Sequence, residues 1–385
     1  MPELVGLAPW ALLLVLAIVT LARRPRLRLH AAAEDGPLVS VIVPARNEGA
    51  NIGPLLASLT ASTYRNREIL VVDDRSTDGT GDIVRALQTR TGDAVRLIEG
   101  GELPAGWYGK PWACWQGYEA SRGEVLLFTD ADTRHEADLL GRSVTALRET
   151  DADLFTVLPQ QTLVTFWERS VMPHMLFMLG MRYQPMLMNR TRNPIHVVAN
   201  GQFIMMPRRS YEAIGGHTSV KHEVVEDLRL AQVVVEAGRK LVVMHAEEFM
   251  QTRMYRSLAG IFEGWTKNVA MGAAYSVPQA LSTATPWLIA LFLVVAWVLP
   301  PGILLVEAFT EVHDRAVIWA LGATILSLAF WMLNNVRMRV PPLYSLIYPV
   351  GAVTAAIIVV RSALRGRRVV WKGREYGRPE AVATR

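Results

Sequence analysis

LLFTDADTRH, residues 126–135, is the stretch from which the fold of this chain is predicted. Its apolar run ends at Phe128 and predicts a buried strand, and two carboxylates, Asp130 and Asp132, follow at the strand's end. Because side chains alternate along extended backbone, both carboxylates are expected to point the same way. Two like charges held this close repel each other, so the pattern favours a divalent cation bound together with substrate phosphates.

Strand-like and helix-like segments alternate around this stretch. Helices are predicted near residues 51–59, 83–89 and 226–237. Apolar, β-branched runs of strand length occupy residues 38–48, 68–74, 94–100, 124–130 and 241–249. Such alternation predicts an α/β fold with a parallel, doubly wound sheet.

Acidic residues follow two of the predicted strands. Asp73 and Asp74 end the second strand, and Asp130 and Asp132 end the fourth. Because ligands bind at the carboxyl ends of the strands in such sheets, two acid pairs at one edge predict a functional site. Asp78, by contrast, is expected only to cap the following helix.

Two further segments carry candidate site residues. Lys110 lies in a glycine-rich and aromatic stretch, residues 106–117, that is predicted to be a flexible loop. The lysine would bind phosphate beside a stacking wall, or the stretch would be an aromatic hinge packed on the sheet. The start of a predicted helix carries Glu223, Glu226 and Asp227, which would oppose the helix dipole, or one of which would be a general base.

Long uncharged blocks predict an integral membrane protein. The chain has 385 residues, of which 51% are apolar and only 19% charged. Four uncharged blocks are long enough to cross a hydrocarbon core of about 30 Å. They are residues 4–22, 286–306, 316–336 and 340–360.

Positive charges indicate the orientation in the membrane. Four arginines between positions 23 and 28 follow the first block, which is therefore predicted to be an uncleaved anchor with the next domain in the cytoplasm. The net charge of +5 lies largely beside the apolar blocks, which favours anionic lipid headgroups over nucleic acid. Four crossings would place the C-terminus on the same side of the membrane as the N-terminus, outside the cell. The basic tail instead favours a cytoplasmic C-terminus. A re-entrant block, or a second pass within residues 268–306, would remove that conflict.

The order of the motifs resembles that of family 2 glycosyltransferases with the GT-A fold. VSVIVPARNE, VVDDRSTDGT, the GK of GWYGKPWACWQG, TDAD and VVED succeed one another within residues 37–270. The flanking helices are similar to the membrane-bound, lipid-modifying branch that includes hopanoid-associated and carotenoid glycosyltransferases. The resemblance implies a Rossmann-like, doubly wound mixed sheet with transmembrane helices at both ends.

The resemblance also implies a division of the chain. The expected units are an N-terminal anchor and linker (1–36), a cytoplasmic GT-A domain (37–252), an amphipathic interfacial segment (253–282), C-terminal transmembrane helices (283–362) and a basic tail (363–385). The implied location is the cell membrane, with several crossings.

Site residues follow from the same resemblance. It implies nucleotide-sugar binding by Pro44, Glu48, Asp74, Lys110 and Asp130. It implies Mg²⁺ or Mn²⁺ binding by Asp132 with Asp130, and a catalytic base at Asp227. The QxxRW motif of the family is altered here, and its acceptor and diphosphate roles are assigned to Gln251, Arg253, Trp265 and Lys267.

The expected function is inverting, metal-dependent transfer of a sugar from a UDP-sugar to a lipid acceptor at the cytoplasmic membrane face. A processive polysaccharide synthase is one alternative, which the size distribution of the product would reveal. A catalytically silent, nucleotide-binding membrane scaffold is another. Calorimetry would reveal it as UDP and Mn²⁺ binding without sugar transfer or hydrolysis.

Overall fold

The computed structural model describes residues 5–310, 315–365, 369–371 and 374–376. The strands, in chain order, are β1 (Val39–Ala45), β2 (Arg67–Asp73), β3 (Val95–Glu99), β4 (Val125–Thr129), β5 (Thr133–His135), β6 (Leu154–Leu158), β7 (Gln160–Gln161), β8 (Phe203–Pro207), β9 (Leu241–His245), β10 (Met250–Thr252), β11 (Val369–Trp371) and β12 (Arg374–Tyr376).

The helices complete the order of elements. They are α1 (Ala8–Arg23), α2 (Gly49–Thr60), α3 (Thr80–Thr91), α4 (Gly109–Glu119), α5 (Leu139–Glu149), α6 (Phe166–Arg182), α7 (Pro185–Met188), α8 (Arg208–Ala213), α9 (Glu226–Glu236), α10 (Leu258–Ser276), α11 (Gln279–Ser282), α12 (Thr285–Trp297), α13 (Leu299–Thr310), α14 (Arg315–Arg337) and α15 (Tyr348–Arg365).

A seven-stranded mixed sheet forms the centre of the α/β region, in the order β3-β2-β1-β4-β8-β6-β9. Strand β8 runs antiparallel to both of its neighbours, and the other pairs are parallel. The mixed sheet predicted for the GT-A fold is therefore confirmed, and an entirely parallel sheet is wrong at β8. Alternate residues of β1 enter different apolar clusters: Val41 and Val43 pack on one face and Ile42 on the other. Burial on both faces explains its continuous apolar run.

A second, three-stranded sheet lies directly after the acid pair, in the order β5-β10-β7. Strand β10 pairs antiparallel with β5, which places Gln251 opposite Arg134. Strand β5 begins one residue after Asp132, so this small sheet brings the segment around Gln251 to the acid-bearing turn.

The stretch predicted as a flexible loop is helix α4 from Gly109 onward, which corrects that prediction. The helix packs on β1 and β2 with Cys114 buried. A Cβ atom at Gly117 would lie 2.3 Å from Cγ2 of Ile42, so the glycine permits close packing on the sheet. The aromatic residues also contact one another, with ring centroids 5.2 Å apart for Trp107 and Trp112. Packing on the sheet is thus the role of the buried side of this segment.

Among the described residues, three helical segments are long and apolar enough to cross a membrane: Ala280–Trp297, Ala316–Arg337 and Pro342–Arg365. The predicted block 286–306 is divided, because α12 ends at Trp297 and α13 begins at Leu299. The N-terminal apolar helix α1 has 16 residues and is shorter than these spans. It packs on α14, with the ring centroids of Trp10 and Trp319 5.4 Å apart.

Helix α10 connects the region of the main sheet to the apolar C-terminal helices. It packs on α6 and α15, and its Ile261 and Trp265 are buried there. The hydroxyl of Ser362 in α15 donates a hydrogen bond to the Thr266 carbonyl at 2.8 Å. One face of the predicted interfacial segment therefore contacts protein.

Glu247, just after β9, joins three parts of the chain. Its Oε1 lies 2.8 Å from Nη1 of Arg24, 2.9 Å from Nδ1 of His245 and 3.9 Å from Nη2 of Arg337. These partners follow α1, end β9 and end α14. Burial opposes ionisation of this carboxyl, but the hydrogen bond with His245 and the charge of Arg24 outweigh burial and lower its pKa to about 2.

Replacing Glu247 by Gln is expected to destabilise the protein by about 3 kcal/mol, because Arg24 and Arg337 lose a partly buried counter-ion. The pKa of Glu247 is lowered from 4.5 to about 2, so its stabilisation is complete above about pH 4.5 and is lost as the pH falls toward 2. Thermal unfolding in detergent measures this. Glu248→Gln is the control, since that side chain is 50% exposed. Equal melting temperatures for the two variants would contradict the role of Glu247.

Candidate active site

Charged side chains from three elements meet at the carboxyl edge of the main sheet. Lys110 lies in the first turn of α4, Asp130 directly follows β4, and Glu226 begins α9. The Lys110 ammonium is 2.8 Å from Oδ1 of Asp130 and 2.8 Å from Oε1 of Glu226. One cation thus joins two carboxylates that lie 96 residues apart in the chain.

The charges of this cluster determine its protonation. Burial alone would lower the pKa of Lys110, but Asp130 and Glu226 raise it well above its usual value. Burial raises the pKa of Asp130, an effect that Lys110 partly offsets. For Glu226 the attraction of Lys110 exceeds the effect of burial and lowers the pKa. At neutral pH the ammonium is therefore protonated and Glu226 is ionised.

Asp227 lies beside this ion pair and is held by backbone donors. The N–H of Gly201 donates to Oδ2 at 3.0 Å, and the N–H of Leu228 donates to Oδ1 at 2.8 Å. A Cβ atom at Gly201 would lie 2.8 Å from Oδ2, so only glycine allows this approach. Burial and the neighbouring Glu226 charge raise the pKa of Asp227 to about 6. A carboxylate with this pKa is ionised near neutrality and still basic enough to accept a proton.

The ends of β1 and β2 form the adjoining part of the edge. Pro44 lies in β1, and Glu48 is the residue before α2, where its Oε2 accepts a hydrogen bond from Nδ2 of Asn51 at 2.7 Å. Asp74 is buried, and its backbone carbonyl accepts from Nη1 of Arg46 at 2.7 Å. The structure thus places Pro44, Glu48 and Asp74 at the same edge as the Lys110 cluster. Their nucleotide contacts stay predictions.

Asp78 has the capping role predicted for it. Its Oδ1 accepts from the N–H of Thr80 at the start of α3, at 3.1 Å. Its Oδ2 accepts from the N–H of Gly49 at the start of α2, at 2.9 Å. One carboxylate therefore satisfies the first turns of two helices.

Two arginines near Asp132 were not predicted from the sequence. Arg134 interacts electrostatically with Asp132 and with Arg256. Nη2 of Arg256 donates to Oδ1 of Asn51 at 3.0 Å, which places this guanidinium beside Glu48. In the sequence, these arginines lie two residues after Asp132 and five residues after Gln251. The second position falls outside the QxxRW spacing of the family. A pair of guanidinium groups here forms a positive wall suited to phosphate.

The turn that bears the acid pair rests on a buried polar network. Thr133 donates from Oγ1 to the Asp130 carbonyl at 2.8 Å. Nε2 of His135 lies 3.2 Å from the hydroxyls of Thr129 and Thr133. Burial lowers the pKa of His135 to about 3, so the ring is neutral. This network orients the Asp130–Asp132 turn without adding charge.

Two of the residues assigned to acceptor or diphosphate binding have partners within the protein. Nε and Nη2 of Arg253 donate to the two oxygens of the buried Glu168, at 2.8 and 3.1 Å. Trp265 donates its indole N–H to Sδ of Met172 at 3.2 Å, within the apolar cluster of α6 and α15. These contacts favour a structural role for both side chains in the packing between β10, α6 and α10, and their acceptor or diphosphate role stays a prediction.

Gln251 and Lys267 remain near the site. Gln251 lies on β10 opposite Arg134, close to the acid-bearing turn. Lys267 projects from α10 into the field of Glu226, Asp227 and Asp130. Burial lowers the pKa of Lys267, which Glu226 opposes.

The carboxylates at this edge fit a metal that also binds substrate. Among the described residues, no three His, Cys, Asp or Glu side chains are grouped so that they could hold an ion by themselves. Asp132 and Asp130 offer hard oxygen ligands, and Mg²⁺ characteristically takes one or two carboxylates together with substrate phosphates. The donor set therefore suits Mg²⁺ or Mn²⁺ when a diphosphate completes the coordination.

The comparisons with known proteins agree with this geometry. Residues 40–215 match the family model "Glycosyl transferase family 2". This chain contains a family 2 glycosyltransferase domain. It is 27% identical over 270 residues to 4,4'-diaponeurosporenoate glycosyltransferase of Staphylococcus aureus strain USA300, a match that covers 69% of this chain and 70% of that relative. The chain is an enzyme of the glycosyltransferase class, as predicted.

A solved structure shows the fold of this glycosyltransferase. The mannosyltransferase PcManGT from Pyrobaculum calidifontis, in complex with GDP-Man and Mn²⁺, superimposes with a TM-score of 0.55 and 19% sequence identity. The similarity covers 94% of this chain and 97% of that one. The predicted GT-A fold is thus confirmed.

Replacing Arg253 by Gln is expected to lower the melting temperature by several degrees, because Glu168 is left buried without its partner, a loss of about 3 kcal/mol. UDP binding measured by calorimetry should stay within about twofold. Arg256→Gln is the matched control: with its exposed guanidinium beside Asn51, it should keep its stability and bind UDP about tenfold more weakly. If Arg253→Gln keeps its stability but binds UDP more weakly, Arg253 acts at the diphosphate site and the structural role is wrong.

Proposed function

We propose that this glycosyltransferase moves a sugar from a UDP-sugar to a lipid acceptor, with inversion at the anomeric carbon, at the cytoplasmic face of the cell membrane. The observation that carries the proposal is Asp227. Its carboxylate has a raised pKa and lies beside, but outside, the ion pairs that Lys110 makes with Asp130 and Glu226. The proposed base and the acids proposed to bind the donor are therefore separate groups at the same edge of the main sheet.

In this mechanism the acceptor oxygen attacks the anomeric carbon as the bond from that carbon to the diphosphate oxygen breaks. Asp227 accepts the proton of the acceptor O–H, and the nucleoside diphosphate leaves with the bonding electrons. Lys110, Arg134 and Arg256 place positive charge around the departing diphosphate. A single displacement of this kind inverts the anomeric configuration.

A Mg²⁺ or Mn²⁺ ion held by Asp132 and Asp130 would stabilise the charge of the diphosphate as a Lewis acid. The turn after β4 would carry both ligands. In this turn the Asp130 carbonyl accepts a hydrogen bond from the Thr133 hydroxyl. Asp130 also contacts Lys110, so Asp132 is assigned as the main ligand.

Two observations support a lipid acceptor. The similar Staphylococcus aureus protein is named for 4,4'-diaponeurosporenoate, which points to an apolar acceptor here. Helix α10 also runs from the catalytic region onto membrane helix α15, and its Lys267 reaches the field of Asp227. An acceptor in the membrane would thus have its polar end directed toward the base along α10.

The same arrangement supports the predicted division of the chain. The anchor and linker (1–36), GT-A domain (37–252), interfacial segment (253–282), membrane helices (283–362) and basic tail (363–385) are proposed as one multi-pass enzyme. The arginines that follow α1 favour a cytoplasmic GT-A domain.

Asp227→Asn is expected to reduce transfer by about 10²-fold to 10⁴-fold, because the general base is lost. In the unmodified enzyme, activity should fall as the pH drops below about 6, since protonated Asp227 cannot accept a proton. Steady-state rates from pH 5 to 8 measure both effects. Glu236→Gln, at the exposed end of the same helix, is the control and should retain the full rate and profile. Retained turnover in Asp227→Asn would contradict the assignment.

Asp132→Asn should weaken Mn²⁺-dependent UDP binding at least about tenfold, because one anionic ligand is lost. Asp227→Asn should leave that binding within about twofold, which separates donor binding from acceptor chemistry. Calorimetry with UDP, with and without Mn²⁺, measures both variants. Mn²⁺-independent binding, or equal losses in both variants, would overturn the division of roles.

A further inference from the structure

An open groove of about 540 Å³ lies between the start of α10 and the end of α15. Its lining contains three apolar residues, one acid and two arginines: Leu258, Ala259, Phe262, Glu263, Arg361 and Arg365. The walls are fixed to each other, because the buried Ser362 hydroxyl donates to the Thr266 carbonyl at 2.8 Å. The groove is therefore a built feature of the helix pair.

The groove combines an apolar surface with guanidinium groups. Leu258 and Phe262 are half-buried on α10, while Arg361 and Arg365 are exposed on α15. The guanidinium carbon of Arg361 lies 5.8 Å from the centroid of the Phe262 ring, a cation–π contact that orients it along the groove. Within the described part of the chain, neither arginine forms a salt bridge with an acidic side chain.

The position along α15 sets the depth of the groove in the membrane. The apolar span Pro342–Arg365 ends at the second arginine. Arginines at the end of a span lie at the level of the lipid headgroups, where their stems contact apolar chains and their guanidinium groups meet phosphate. A ligand here therefore comes from the bilayer.

We propose that this groove binds the phosphate of an anionic phospholipid, with an acyl chain against Leu258 and Phe262. Two guanidinium groups against one carboxylate give the groove an excess positive charge that matches an anionic headgroup. Glu263 opposes binding and limits the affinity. Two residues before the groove, Arg256 contacts Asn51 at the candidate active site, so a lipid in the groove would hold the start of α10 next to that site.

The test uses the full-length protein in a neutral detergent, titrated with phosphatidylglycerol or phosphatidylcholine and analysed by native mass spectrometry. The first phosphatidylglycerol molecule should bind more tightly than phosphatidylcholine. The double variant Arg361→Gln/Arg365→Gln should lose about fivefold in affinity for each arginine removed. Glu263→Gln should change affinity in the opposite direction and bind phosphatidylglycerol more tightly.

A matched control separates the groove from general electrostatic attraction. Arg65→Gln/Arg90→Gln removes the same charge from exposed positions of the catalytic domain and should bind phosphatidylglycerol normally. Equal losses in the two double variants, or no preference for phosphatidylglycerol, would overturn the proposal. Competitive displacement of phosphatidylglycerol by an anionic acceptor lipid would also overturn it and would assign the groove to the acceptor. The readout is binding, so failure of sugar transfer does not affect the result.

Discussion

The ammonium of Lys110 is the constraint on which the catalytic edge depends. Asp130, Glu226 and Asp227 come from two distant parts of the chain and would repel one another at this edge. Lys110 lies 2.8 Å from the first two and thereby permits all three to approach. Because its direct contacts are with Asp130 and Glu226, Asp227 keeps a raised pKa of about 6. The same cation thus joins the α4, β4 and α9 segments, while burial and the charge of Glu226 keep Asp227 basic.

The sequence predicted the parts of this site that depend on local pattern. Apolar runs located β1, β2 and β4, and the residues after them placed Asp74, Asp130 and Asp132 at one edge. The helix at Lys110 was missed because glycine and aromatic residues weaken a helical pattern, while Gly117 is required by contact with Ile42. The direction of strand β8 was not predicted, because a five-residue apolar run contains no information about it. Tertiary pairing decides that direction.

Long-range partners account for the site residues that were overlooked and for the contacts of Arg253 that the sequence did not predict. Arg253 resembles a motif residue in sequence, yet its partner Glu168 lies 85 residues earlier in the capping box of α6. Arg256 contacts Asn51 across 205 residues, which no local spacing reveals. In the C-terminal part, the hydropathy pattern located the blocks that form the long apolar helices. The division of block 286–306 before Pro300 and Pro301 follows from proline, which lacks the N–H that would continue helix α12.

The central claim is that one displacement, assisted by Asp227, transfers the sugar. The anomeric configuration of the product tests this claim most directly, because a single displacement inverts that carbon and a double displacement retains it. The measurement is the anomeric proton coupling, by NMR, of the lipid product formed from an α-linked UDP-sugar by the full-length enzyme. A β-linked product is predicted, and an α-linked product would contradict the account.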